Sequence, residues 1–115
     1  ASDVYKRQLH RCSLGGDGYA ALLLGRYKSG SQGRLVTVDS QGRELASLDI
    51  DEEVMSLSAA GKYVAVLYQD HLTIYDKDLQ EYAVLKDVSA AGTVLMRSDG
   101  SAVLTGASAA SLYLP

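Results

Sequence analysis

The sequence lacks several residue types that specialised sites need. Its 115 residues include no Trp, no Phe, one Pro and one Cys. The lone Cys12 excludes an internal disulfide and a zinc site built on paired thiolates. The histidines, His10 and His71, are too far apart in the sequence to form a local metal-binding motif. No apolar run approaches the roughly 20 residues that cross a bilayer as a helix.

The charge balance also narrows the classes of partner. Lys and Arg number 11 and Asp and Glu number 14, which gives a net charge of −3. Without a basic cluster, the chain is not expected to bind nucleic acid. A hydrophobic fraction of 47% with 22% charged residues is typical of a folded protein. The length allows one ordinary domain or part of a larger one.

Residues 1–8 differ in character from the rest of the chain. Asp3–Gln8 resembles a translated sequencing adaptor, so we expect residues 1–8 to be a non-native leader. The alternative is an ordinary polar leader. If the leader is foreign, residues 9–115 are the C-terminal part of a longer protein.

The rest of the chain is predicted to be all-β. Short runs rich in Val, Leu, Ile, Thr and Tyr alternate with turns rich in Gly, Ser and Asp, and no segment favours a helix. Asp99-Gly100 is a strong hairpin signal. The predicted strands are 9–14, 19–27, 34–39, 44–50, 54–58, 62–68, 71–76, 81–86, 93–97, 101–105 and 111–114.

These strands repeat. The turn glycines Gly18, Gly61 and Gly100 are 43 and 39 positions apart, and residues 35–39 align with residues 72–76. A period of about 40 residues with four short strands indicates a β-propeller blade. We therefore predict a partial β-propeller of about two and three-quarter four-stranded antiparallel blades.

The predicted blades are residues 9–50, 54–86 and 93–115, and the last lacks an outer strand. Propellers commonly complete such a blade with a strand from the N-terminal end of the chain, which removes free sheet edges. We expect residues 9–115 to end the ring, with the missing blades of the same chain as partners. Expressed alone, the chain should associate or be unstable.

Two turns carry a resemblance to a known family. The strand–Asp-x-x-Gly–strand element at residues 35–45 and the turn at 98–101 resemble those of bacterial quinoprotein-like propellers. With the closing Leu112–Pro115, residues 9–115 resemble an uncharacterised family of membrane-anchored propellers from Gram-positive bacteria. The resemblance implies an extracytoplasmic protein held to the bacterial membrane by a missing N-terminal segment.

The chain departs from the related propellers that have assigned chemistry. Quinone-binding propellers place a Trp a few residues after the turn glycine, but Gly42 is followed by Arg43, Glu44, Leu45 and Ala46. The Gly-His and Trp-Asp pairs of the WD repeat are also missing. No cofactor is expected, and no family residue can be transferred to this sequence.

Three local clusters have a functional reading and a structural one. Asp49–Glu53 could bind calcium or a basic partner, but it lacks the calcium-loop framework and reads better as a solvated link between blades. Gly15–Gly18 could cradle phosphate, but a strand follows it, so a hairpin is favoured. Asp70 and His71 could form an acid–base pair, but adjacent strand residues point to opposite faces, and a turn position is favoured.

The tyrosines form a larger group with two readings. They are expected to fill blade interfaces, with a carbohydrate-stacking platform as the alternative. The tyrosines with these two readings lie at strand positions and are Tyr63, Tyr68, Tyr75, Tyr82 and Tyr113.

These observations favour a non-catalytic propeller that binds a protein or an extracellular ligand as a scaffold. No catalytic, cofactor-binding or metal-binding residue is assigned. One alternative is part of a propeller enzyme whose catalytic residues lie in the missing blades. A purely structural ring is another. Fold alone does not decide among them.

Overall fold

The computed structural model describes residues 9–14, 18–25, 33–50, 52, 54–88, 91–107 and 109–115. The expected foreign leader, residues 1–8, lies outside these ranges. The described part contains strands but no helix, and so no helix that could cross a membrane. The strands are β1 (Leu9–Leu14), β2 (Tyr19–Gly25), β3 (Gly33–Asp39), β4 (Glu44–Ile50), β5 (Ser56–Ala60), β6 (Tyr63–Leu67), β7 (His71–Asp76), β8 (Glu81–Lys86), β9 (Ala91–Met96), β10 (Ala102–Gly106) and β11 (Ala110–Tyr113).

The strands form three separate antiparallel sheets. Sheet 1 has the order β1-β2-β3-β4, sheet 2 the order β5-β6-β7-β8, and sheet 3 the order β9-β10-β11. Within each sheet, every strand therefore pairs with the strand next to it in the sequence. The all-β prediction is confirmed. The predicted numbers of strands in the successive sheets, four, four and three, are confirmed as well.

Several strand boundaries differ from the prediction by one or two residues, and the starts of β5 and β9 each differ by two. β5 begins at Ser56 rather than residue 54, although the Met55 amide already donates to the Leu67 carbonyl at 2.7 Å. β9 begins at Ala91 rather than residue 93, because Ala91 pairs with Gly106 beyond an irregularity in the register. Ala91 and Gly92 read as a turn by composition, but pairing with β10 overrides that local preference.

The repeat identified in the sequence has a structural basis in the turns. Asp39 Oδ1 accepts hydrogen bonds from the amides of Gln41 and Arg43, each at 2.9 Å. Asp76 Oδ1 accepts from the amides two and four positions further along, at 2.9 and 3.0 Å. Both carboxylates close the turn after the third strand of a sheet, so the two sheets share one turn design.

The sheets pack face to face, and apolar side chains fill both interfaces. Between sheets 1 and 2 the buried residues are Tyr19, Ala21, Leu23, Leu35, Ala59, Val64, Val66, Tyr68 and Tyr75, with Ile50, Val54 and Leu79 from the strand ends and connections. Between sheets 2 and 3 they are Ala65, Leu67, Leu72, Ile74, Val94, Met96, Ala102 and Leu104, with Val88. Sheet 2 is thus covered on both faces, as the apolar character of residues 62–68 predicted.

Serine hydroxyls link the first strands of successive sheets. Ser13 of β1 accepts a hydrogen bond from the Ala59 amide of β5 at 2.8 Å. Ser58 of β5 accepts one from the Met96 amide of β9 at 2.8 Å, and Ser56 accepts from Val94 at 3.2 Å. These amides lie on the edges of β5 and β9 that face away from the next strand of their own sheet. We call this contact the serine seam.

The face of sheet 3 that points away from sheet 2 carries exposed apolar side chains. Val103 pairs with both Leu95 and Leu112, which places the three side chains on one face. Leu95 is 61% exposed and Leu112 is 51% exposed. We call this surface the open face. Because neighbouring exposed apolar side chains often mark an interaction surface, this face has the character of an interface.

Candidate functional site

A cluster of polar side chains lies where one set of strand ends of sheet 2 meets. In an antiparallel meander alternate connections lie at the same end of the strands. The β4–β5 link, the β6–β7 turn and the β8–β9 link are therefore neighbours. The amide of Val88 donates to the carbonyl of Asp70 at 3.2 Å, which joins two of these connections. Glu52 comes from the third.

His71 is the centre of this cluster. Its Nδ1 lies 2.8 Å from Asp70 Oδ1, and its Nε2 lies 3.8 Å from Glu52 Oε2. An ionised carboxylate can only accept hydrogen bonds, so Nδ1 carries the proton and donates it. In the neutral imidazole the lone pair is then on Nε2, the nitrogen that faces Glu52.

The plane of the His71 ring is set by Tyr68. The two rings stack with centroids 4.5 Å apart and planes inclined by 22°. Tyr68 is itself buried, and its hydroxyl lies 3.4 Å from the hydroxyl of Tyr75. Burial raises the pKa of Tyr68 well above its ordinary value, and the hydrogen bond with Tyr75 raises it further. Tyr68 is therefore a neutral and fixed support for the imidazole.

The carboxylates of the cluster are exposed, whereas His71 is mostly covered. The side chains of Glu52 and Asp70 are 58% and 76% exposed, and that of His71 is 23% exposed. The hydrogen bond from His71 lowers the pKa of Asp70, which keeps that carboxyl ionised at neutral pH. A groove of about 500 Å³ beside the cluster is lined by Asp70, His71, Thr73, Glu81, Val84, Lys86 and Asp87.

The structure places the polar residues singled out in the sequence as follows. The turn position favoured for Asp70 is confirmed, so the alternation of strand residues does not separate it from His71. Asp70 belongs to the turn before β7, so its carboxylate can fold back onto the imidazole. Of the acidic run Asp49–Glu53, Glu52 reaches His71, while residues 51 and 53 lie outside the described part. The segment Gly15–Gly18, read as a phosphate cradle or a hairpin, also lies mainly outside the described part, since only Gly18 is described.

The tyrosines only partly fill blade interfaces. Tyr68 and Tyr75 are buried between sheets 1 and 2, and Tyr63 and Tyr113 are partly buried against the core between sheets 2 and 3. Tyr82 is 51% exposed, so its expected place in an interface is wrong. Its ring packs against that of Tyr63 with centroids 4.9 Å apart, at the outer strand of sheet 2.

Comparison with known proteins supports the fold. No family model matches the sequence, and no curated protein resembles it closely enough to count as a relative. Among similar solved structures is one titled "Crystal structure of HIRA(644-1017)", with a TM-score of 0.67 and 12% identity. The match covers 92% of this chain and 36% of that one. The chain therefore spans about a third of the length of that structure.

The neighbour is a WD40-type β-propeller. This chain has a partial β-propeller fold, which confirms the fold predicted from the 40-residue repeat. The likeness exists without the Trp-Asp pairs of the WD repeat.

Proposed function

We propose that the chain is part of a larger, non-catalytic β-propeller that serves as an interaction scaffold. The observation that carries this proposal is the open face of sheet 3. Sheets 1 and 2 each bury the corresponding face against the following sheet. The repeat therefore makes a further sheet the natural occupant of the face around Leu95, Val103 and Leu112.

The serine seam supports the same occupant. β1 and β5 each present hydroxyls to the amides of the next first strand. On β9, Thr93 lies on the open face and its hydroxyl bonds to that of Thr105. By strand register Thr93 takes the place of Ser56, and Leu95 takes that of Ser58, so a following sheet would meet both an apolar surface and a hydroxyl. The occupant proposed is a blade of the same protein.

The open face can be tested with the chain itself. The wild-type chain should self-associate in light scattering and bind an apolar dye, because this face lacks its partner. The double substitution Leu95→Asp and Leu112→Asp should reduce both signals. Leu45→Asp, on an exposed apolar residue of β4, is the matched control and should leave both unchanged. A wild-type chain that is monomeric and binds no dye would contradict the proposal.

Cross-linking in the longer protein would identify the blade that covers the open face. Benzoylphenylalanine placed at position 112 should cross-link to a segment of the same chain outside residues 1–115. Cross-links to other proteins alone would overturn the assignment of this face to a further blade. The same cross-linker placed at position 45 is the control for general surface cross-linking.

The scaffold role needs a partner as well as a closed ring. Propellers bind through the connections at the sheet edges, so a partner should contact residues such as Asp70 and Asp87. A partner identified by cross-linking and then purified should bind the longer protein saturably. Absence of saturable binding by any such partner would leave the scaffold proposal refuted.

The cell-envelope location belongs to the proposal too. It is supported by the resemblance of residues 35–45 and 98–101 to the turns of anchored bacterial propellers. The complete reading frame should then begin with an apolar anchor or signal segment. A complete frame without one would contradict an extracytoplasmic location.

A further inference from the structure

We propose that His71 and Glu52 form a binding site for a divalent transition metal, with Asp70 as the positioning residue. The ligand atoms of these three side chains all lie within 4.8 Å of one another. This site does not depend on the proposed scaffold role. It concerns sheet 2 and its connection to sheet 1, not the open face.

The orientation of the imidazole suits a metal ligand. Metal-binding histidines commonly donate their second ring N–H to a carboxylate, which fixes the tautomer and makes the other nitrogen a better ligand. The 2.8 Å contact from Nδ1 to Asp70 Oδ1 is this arrangement. Stacking on the buried Tyr68 holds the ring plane as well. The Nε2 lone pair is therefore aimed before any metal arrives.

The distance from His71 to Glu52 fits a shared ion better than a direct contact. The separation of 3.8 Å between Nε2 and Oε2 is too long for a hydrogen bond. Two ligands of one tetrahedral zinc ion, at ordinary Zn–N and Zn–O lengths, stand about 3.3 Å apart. The exposed Glu52 side chain can close that gap by a small rotation. When the imidazole is protonated the two groups form an ion pair at this distance, and a bound metal would take the place of the Nε2 proton.

The ligand types select the kind of ion. An imidazole nitrogen with a carboxylate oxygen favours zinc and its transition-metal neighbours, whereas calcium and magnesium favour oxygen ligands alone. Water would complete the coordination, since the site is open to solvent through the carboxylates. One member of the run Asp49–Glu53, which the sequence favours as a solvated link, would thus supply a ligand through Glu52.

The test is a zinc titration of the 115-residue chain, followed by calorimetry and by the imidazole NMR signals of His71. The wild-type chain should bind one zinc ion per chain, and calcium should not compete. His71→Gln should abolish binding. His10→Gln, which alters the other histidine of the chain, is the matched control and should bind as the wild type does.

The remaining variants distinguish ligand from positioning residue. Glu52→Gln should weaken binding by at least about tenfold, and Asp70→Asn by about 10–100-fold through loss of imidazole orientation. Asp70→Asn should also change the tautomer signature of His71 without metal, which a remote structural effect would not do. Glu52 and Asp70 are exposed, so both variants keep the test valid if His71→Gln fails to fold.

Three results would overturn the inference. They are no zinc binding by the wild-type chain, full retention of binding in His71→Gln, and loss of binding in His71→Gln without any effect of Glu52→Gln. The last would show that the imidazole binds zinc without the geometry described here.

Discussion

Removing the Ser58 hydroxyl should measure what the serine seam contributes to stability. Ser58 is buried, and its Oγ accepts the amide of Met96 at 2.8 Å. The neighbouring Arg97 amide bonds to Ser101 within sheet 3, so alternation along the ladder directs the Met96 amide away from β10. In Ser58→Ala this amide loses its acceptor in a buried place.

The expected cost follows from that loss. Leaving a buried donor unsatisfied costs about 1–3 kcal/mol. With a urea dependence of about 2 kcal/mol per molar, the unfolding midpoint should fall by about 0.5–1.5 M. The Met96 amide should also exchange with solvent faster, while the amide of Leu95 on the other edge of the strand should change less.

A matched variant controls for the loss of a hydroxyl as such. Ser47 accepts a hydrogen bond from Arg34 Nη2 at 2.9 Å, but that contact is exposed. Ser47→Ala should change stability by less than about 0.5 kcal/mol. If Ser58→Ala behaves like Ser47→Ala, and the exchange of the Met96 amide is unchanged, the seam does not hold β5 and β9 together as described.

Three further substitutions test other contacts. Thr37→Val removes the 2.7 Å hydrogen bond from a fully buried hydroxyl to the Lys77 carbonyl and should cost about 1 kcal/mol in urea unfolding, whereas no change would refute a contribution from this contact between sheets. Gly100→Ala should destabilise the fold by about 1 kcal/mol more than Gly42→Ala. Both glycines have positive φ, but only at Gly100 would the added Cβ lie 3.3 Å from a tyrosine ring. Equal losses of stability would contradict this. Backbone hydrogen bonds lower the pKa of Asp39, so its contribution to folding stability should be present at neutral pH and be lost as pH falls below about 4. In urea unfolding, the free energies of Asp39→Asn and the wild type should differ most near pH 7. A difference that grows in acid would refute this direction.

Much of the fold could be predicted because its determinants are local. Apolar strand residues between turns that contain Asp define β7 and β8 to the residue, and the common Asp39 and Asp76 turns mark the repeat. Where small residues such as Ala91 and Gly92 occur, local preference is weak and pairing with a neighbouring strand decides. That is why the start of β9 was misplaced.

The candidate site was harder to predict because its parts are not local. The contact between Glu52 and His71 depends on two connections meeting at one sheet edge, which needs the packing of sheets 1 and 2. The contact between Asp70 and His71 is local, and its signal lies in the sequence. An Asp in the last turn position before a strand is free of the alternation that governs strand residues.

The order of the three sheets is most directly tested by nuclear Overhauser contacts between their first strands. We expect contacts from the Met96 amide to the β protons of Ser58, and from the Ala59 amide to the β protons of Ser13. These would place β1, β5 and β9 side by side, as in a propeller. An assigned spectrum that lacks both contacts, with strands otherwise paired as described, would contradict the stacked arrangement of the sheets.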